Sequence, residues 1–291
     1  LIVVVIQGIV GGLRVTGQFI FSTSLDDMAP SIGLAIVHGV LGQLFLALIV
    51  RFTMIEPVRG ASESRSDSGE QPGLLAVMRF LAARRSFLYM AVAAGLTSFV
   101  GYAIINFIPS FIVRSFEIQV ASLGFWLGLI YGIAGGIGFF LGGYLADKIG
   151  RSGHGRALRF ICAAMLVTVV FNAAVFLSTS VTMCLILLVL PSITSNVYLA
   201  PVLSQTQSLV SLRMRSMASA IVLLIINVIG LAFGPPITGL ISDLLQTPFG
   251  DDSMRYALLI VSTCLLPVAA WCYYQAGRSI EGDLSRAQEQ D

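Results

Sequence analysis

Long apolar runs separated by short polar breaks dominate the chain. A helix needs about 20 mostly apolar residues to cross the hydrocarbon core of a bilayer. Runs of that kind occupy 1–22, 31–53, 87–111, 122–146, 157–178, 181–204, 217–245 and 255–276, which predicts eight transmembrane helices. The longest break, Glu56–Ser86, divides two spans from six. Its core, GASESRSDSGEQPG over 60–73, has the polar, Gly/Ser-rich composition of a flexible linker. Gly73–Phe87 comes next with helical spacing and arginine on one face, which predicts a helix lying at the membrane interface.

Basic residues fall in alternate breaks. Arg51, Arg59, Arg65, Arg79, Arg84 and Arg85 follow the second span, Lys148, Arg151, Arg156 and Arg159 the fourth, Arg213 and Arg215 the sixth, and Arg278 and Arg286 the eighth. The other breaks hold Asp26, Asp27, Glu117, Asp243, Asp251 and Asp252, with only Arg114 and Arg255. Short loops rich in Lys and Arg stay in the cytoplasm, so both ends of the chain are predicted there.

Composition agrees: 56% of the 291 residues are hydrophobic, 11% are charged and the mean hydropathy is +0.90, whereas soluble domains carry about a quarter charged residues. Disorder, fibres and nucleic-acid binding are excluded. Cys162, Cys184, Cys264 and Cys272 all lie in apolar runs and read as packing residues, so neither a disulfide nor a metal site is predicted. The chain opens on an apolar run without an initiator Met or a basic leader region, and is expected to be a piece of a longer one.

An offset of 96 residues aligns the last six spans with themselves. Gly138 falls on Gly234, Gly143 on Gly239, Asp147 on Asp243, Arg159 on Arg255, Ser98 on Thr194 and Tyr102 on Tyr198. Three helices is an odd number, so the second triplet enters the bilayer from the opposite side, as in an inverted-topology repeat. The same glycines would also serve simple close packing of helices.

The loop after the fourth span reads Gly142-Gly143-Tyr144-Leu145-Ala146-Asp147-Lys148-Ile149-Gly150-Arg151. It resembles the G-x-x-x-D-[RK]-x-G-R signature of the major facilitator superfamily, in its second copy between helices eight and nine. Glu56-Pro57-Val58-Arg59-Gly60, Arg215–Ala220, Asn227–Gly230 with Gly234-Pro235, and Asp252–Leu258 are similar to the spinster-like branch of that superfamily. The resemblance implies an all-α major facilitator fold. Residues 1–55 would be the last two helices of the N-terminal half, 56–86 the cytoplasmic linker with its interfacial helix, 87–276 the six-helix C-terminal half, and 277–291 a cytoplasmic tail. It further implies that Gly143, Asp147, Lys148, Gly150 and Arg151 form a gating motif. Chemically, a carboxylate closing one helix can accept hydrogen bonds from the start of another, where the macrodipole is positive, or pair with arginine. Such a latch forms when one side is shut and breaks when it opens.

Polar groups within the bilayer are costly unless they face protein or water. Ser98, Tyr102 and Asn106 share a face of the third span; Asn196 and Tyr198 lie in a bendable stretch between Pro191 and Pro201; Asn227 lies in the seventh span. Together with Tyr131, and with Arg14 if residues 1–22 span, these are the candidate residues of a substrate cavity. No Asp or Glu occupies the middle of a span, so any proton-coupling group is expected in helices preceding this chain.

The resemblance implies a secondary transporter working by alternating access, proton-linked, in a bacterial inner (plasma) membrane, as a monomer among membrane lipids and without a cofactor. A cavity of Tyr, Asn, Ser and apolar surface suits an amphipathic, lipid-like substrate. Transport of a sugar, drug or organic anion, or a non-transporting receptor or scaffold on the same fold, are the alternatives. A membrane enzyme lacks support: there is no H-E-x-x-H or G-x-S-x-G, and His38 and His154 are far apart.

Overall fold

The computed structural model describes residues 48–49, 51–52, 73–118, 120–150 and 153–288. The expectations for span 1–22, for span 31–53 apart from residues 48–49 and 51–52, for Arg14, for the linker up to residue 72 and for Arg151 lie outside the described residues. Everything described is helix, turn or short connection.

The segment predicted as one interfacial helix is α1 (Leu74–Ala82), which stops before Arg84; the backbone there is extended and begins a new helix. Val77 and Leu81 of α1 are buried, while Leu74, Leu75 and Met78 are exposed.

Six helical spans come after α1 among the described residues. The first is α2 (Arg85–Phe116). The second consists of α3 (Val120–Leu129), a π-helical segment (Ile130–Ala134) and α4 (Gly135–Gly150). The third is α5 (His154–Phe176). The fourth is α6 (Val181–Thr194), a turn, and α7 (Leu199–Ser208). The fifth is α8 (Arg215–Ile226), a second π segment (Asn227–Phe233) and α9 (Gly234–Phe249). The sixth is α10 (Ser253–Gln288). The chain reverses between α9 and α10 at a 3-10 turn, Gly250–Asp252, where Gly250 takes a positive φ of 54°. Most of these helices run several residues past the apolar limits, because interfacial turns carry Arg, Ser and Asp yet keep their helical hydrogen bonds. The segment set apart as a tail, from 277, is helical to Gln288, with Ile280 and Asp283 buried.

α2, α5 and α10 form the centre of the bundle. Met90, Ala94, Leu158, Ile161, Met165 and Tyr273 are all fully buried there. A Cβ on Gly155 would strike the carbonyl of Gly277, so α5 and α10 cross with their backbones nearly in contact.

The two π-bearing spans pack outside this centre in related ways. On α4, added Cβ atoms at Gly138 and Gly142 would collide with the carbonyls of Ile193 and Val197, at the break between α6 and α7. On the other side, a Cβ at Gly230 would strike the Ser98 hydroxyl, and one at Gly234 would lie 2.8 Å from the Phe99 carbonyl on α2. Shifted by 96 residues, Ile130–Ala134 falls on Ile226–Gly230, which overlaps the second π segment. Such segments recur where helices are deformed for function.

Both ends of the bundle are fastened by carboxylates. At one end Ser115 donates to Asp252 at 2.7 Å, and Arg255 pairs with Asp252 at 3.3 Å while lying over the rings of Phe111 and Phe116. At the other, Asp283 accepts from the Ser86 backbone N–H at 2.8 Å and from its hydroxyl at 2.7 Å. No side chain of α2 itself caps that end, so α10 supplies the anion that the helix N-terminus favours. Glu281 places a carboxylate oxygen beside Gly153 and Gly155 at the start of α5. Helix direction puts Asp147 towards the Asp283 end and Asp243 towards the Asp252 end.

Asp283→Ala leaves the amide and hydroxyl of buried Ser86 without a partner. It is expected to destabilise the chain by about 1–3 kcal/mol, read as a lower thermal midpoint in lipid nanodiscs, with Asp283→Asn losing less. Gly142→Val drives a branched side chain into the Val197 carbonyl; its expected cost is about 1–3 kcal/mol, against almost none for Gly136→Ala, where the space is open.

Candidate functional site

Tyr102, Asn106 and Asn227 come together on an accessible face of the six-span bundle. Asn106 donates its amide to the Tyr102 carbonyl at 2.7 Å, and Asn227 donates to the Leu223 carbonyl at 2.7 Å. Each asparagine thus spends one of its two amide hydrogens four residues back on its own helix, and both residues are exposed. The Tyr102 hydroxyl reaches the Asn227 amide oxygen at 3.5 Å, a long and weak bond that joins α2 to the second π segment. The Asn106 oxygen remains open. The face therefore offers amide oxygens, one remaining N–H on each asparagine and one phenol, framed by apolar side chains.

Ser98 and Tyr198 stand behind this face rather than on it. Ser98 is buried and donates to the Ile226 carbonyl at 3.1 Å, just before the π segment. Tyr198 is 8% exposed and lies against Ser98 and Tyr102. Asn196 is further away and half-buried. Its amide donates to the Ser192 carbonyl at 2.7 Å, and its side chain fills the groove opposite Gly135 and Gly138. It holds the α6–α7 break in shape.

Tyr131 departs from the expectation of a shared cavity. It lies in the first π segment and lines a separate pocket between α2, α5, α6 and α10. A π segment inserts a residue into the helical count and rotates the residues beyond it, so a face drawn at a constant 100° per residue does not pass through it.

In the gating motif, Asp147 and Lys148 are exposed, and neither makes a side-chain hydrogen bond or ion pair with another described residue. Gly143 meets Ala200 only at an ordinary 3.9 Å; the glycine that permits close approach is its neighbour Gly142. Gly150 ends α4 and accepts from the Gly153 N–H at 2.9 Å, and the positive φ of 138° that the turn requires falls on Gly153.

Sequence reasoning passed over Thr97, Thr168, Asn172 and Tyr273, all buried in the bundle. Thr168 and Asn172 share i, i+4 spacing in the third described span, the same signal that picked out Tyr102 and Asn106. Among the described residues no group of His, Cys, Asp and Glu could hold a metal ion, and the four cysteines are free.

Two solved structures share the fold. A bacterial homologue of the human lysosomal transporter Spinster, inward-facing and unoccupied, superimposes with a TM-score of 0.68 at 23% identity over 96% of this chain and 69% of its own. A bacterial homologue of the same transporter in an inward-facing and occupied conformation gives 0.64 at 23% identity over 96% and 68%. A curated relative, an MFS-type efflux pump of Mycolicibacterium smegmatis, is 28% identical over 204 residues, covering 70% of this chain and 47% of the relative. The chain thus spans about half the length of that relative. The model of the Major Facilitator Superfamily matches residues 19–235 and 90–289. With long apolar helices throughout the described residues and that match across most of its length, the chain is an integral, multi-pass membrane protein and belongs to the Major Facilitator Superfamily.

Proposed function

We propose that the chain is part of a secondary active transporter that moves an amphipathic organic molecule by alternating access. The observation that carries this reading is the face formed by Tyr102, Asn106 and Asn227. It has neutral hydrogen-bonding groups whose donors are partly committed to their own helices, and it is bordered by the π segment Asn227–Phe233 and by Ser98 beneath. A fully charged solute brought there would meet no counter-charge, at a cost of several kcal/mol per ion in a low-dielectric site. A molecule with a polar head and an apolar body matches both parts of the wall.

The end of the bundle that carries Arg79, Arg85, Lys148, Arg156, Arg159, Arg215, Arg278 and Arg286 faces the cytoplasm by the positive-inside rule. The C-terminal end of α10 is then cytoplasmic, in a plasma membrane. The inverted 3+3 relation of α2–α5 and α6–α10 lets similar contacts form in both access states. Coupling is to protons, with the titrating group outside the described residues, because every described carboxylate lies at or near a span end. The efflux activity named for the curated relative supports export, and one copy of the chain's transporter suffices for it. Asp147 and Lys148, exposed here, serve as the gating latch with Arg151 in the closed state.

Reconstituted into liposomes with an imposed pH gradient, the purified protein is expected to move a fluorescent lysolipid and not glucose, and a protonophore should stop it. Sugar transport without lysolipid transport would refute the substrate class. Asn106→Leu and Asn227→Leu are each expected to lower lysolipid transport about three- to tenfold, the worth of one hydrogen bond, with the thermal midpoint held. Asp147→Asn is expected to slow turnover while leaving equilibrium substrate binding within about twofold, because a latch acts on the equilibrium between states.

A further inference from the structure

The pocket that receives Tyr131 lies behind the open face. It has a volume of about 40 Å³, and its polar wall consists of Thr97, Tyr131, Thr168, Asn172, Ser192 and Ser195. Two of these groups are buried without a hydrogen-bond partner: the Tyr131 hydroxyl and the Asn172 amide oxygen. Asn172 is only 1% exposed. One belongs to the π segment and the other to α5, and both residues line this pocket.

The remaining hydroxyls narrow the choice of occupant. Thr97 donates to the Ala93 carbonyl, Thr168 to that of Ala164 and Ser192 to that of Leu188, each at 2.8 Å. Thr97 and Ser192 thus commit their protons to their own helices and keep lone pairs, while the Thr168 hydroxyl is also engaged by that of Thr194 at 2.6 Å. The walls therefore need an occupant that can donate several hydrogen bonds and accept one from Tyr131. A metal cation or ammonium ion would satisfy the acceptors but would leave the Tyr131 proton facing a positive charge. No carboxylate lines the pocket, so the desolvation of an ion would go uncompensated. Water meets every requirement. A water needs roughly 10–15 Å³ of such space and two to four polar partners, so the volume suits about three molecules.

Pro191 also lines the pocket. It lacks an N–H, and so leaves the carbonyl one turn earlier without its helical donor. Within a few residues α6 ends and α7 begins. We propose that this pocket is a bound-water site, holding about three molecules, which bridge Tyr131 to Asn172 and hydrate the break in the fourth described span. Mobile donors there let the helix change its bend without stranding a backbone carbonyl in the bilayer.

X-ray radiolysis tests the assignment, because hydroxyl radicals formed from bound water oxidise the side chains beside them. In the full chain in nanodiscs, Tyr131 is expected to be oxidised, while Phe176, fully buried and away from the pocket, stays silent. Asn172→Leu, which fills the space, should lower Tyr131 oxidation by about threefold or more as water is displaced. Thr168→Val, a milder change, tests the same point if the leucine variant does not fold. A double-mutant cycle of Asn172→Leu and Tyr131→Phe on the thermal midpoint should show coupling, since water links the two groups. Tyr131 as silent as Phe176, oxidation unchanged in both Asn172→Leu and Thr168→Val, or strict additivity in the cycle would overturn the site. Oxidation that depends on sodium rather than choline chloride would assign the pocket to a cation and overturn the water reading.

Discussion

A helix inside lipid must satisfy its backbone from its own resources, since no solvent is there to do so. The described spans meet this requirement and then depart from it in selected places. Thr97, Asn106, Thr168, Ser192, Thr194, Asn196, Asn227 and Thr238 all donate to the carbonyl four residues earlier. Each such bond adds a second donor to a main-chain oxygen, which tolerates bending. It also fixes which part of the side chain is left over. For a hydroxyl that is a lone pair, and for asparagine the amide oxygen and its second N–H. The polar chemistry this half shows its neighbours is therefore mostly that of an acceptor, and it stems from the backbone's own needs.

The bundle then divides into a frame and parts able to deform. α2, α5 and α10 pack with fully buried side chains and are fastened at both ends, by Asp283 at Ser86 and by Asp252 with Ser115 and Arg255. The other three spans carry two π segments and one break. A frame that holds its helix termini by charge-assisted hydrogen bonds resists shear, while a π segment or a proline break offers alternative bonding at modest cost. Motion of the spans that border the open face can thus occur without disturbing the centre.

The six described spans were legible because hydropathy over 20 residues averages out local irregularity. The glycine spacing was legible because close packing needs small residues at fixed intervals. Phase and distance escaped. Tyr131 was named as a further candidate for the cavity of Tyr102, and it lies instead in a π segment that lines a separate pocket. Gly143 was named where Gly142 makes the contact; one residue turns the helix by 100°. Ser86 and Asp283 meet across 197 positions, and nothing local to Asp283 marks it as buried, so its region looked like a tail. Asn172 carried the right spacing, but a lone asparagine in an apolar run gives no sign of the groups that face it.

Electrostatics limits the part this half can play in coupling. Every described carboxylate lies at or near a span end, so the polar groups within the bilayer are amides and hydroxyls that keep one charge state across the physiological range. Such groups can bridge helices or pair with a polar solute, but they cannot take up and release a proton. A proton-driven cycle built on this half therefore has to draw its titrating group from helices that pack against the open face. On the function proposed above, the effect would then pass mechanically through the weak Tyr102–Asn227 bond at the border of the second π segment. A bond of 3.5 Å is easily exchanged for one to a ligand. On the transport function proposed above, the link between α2 and α8–α9 would be the point where an arriving substrate shifts the balance between two helix arrangements.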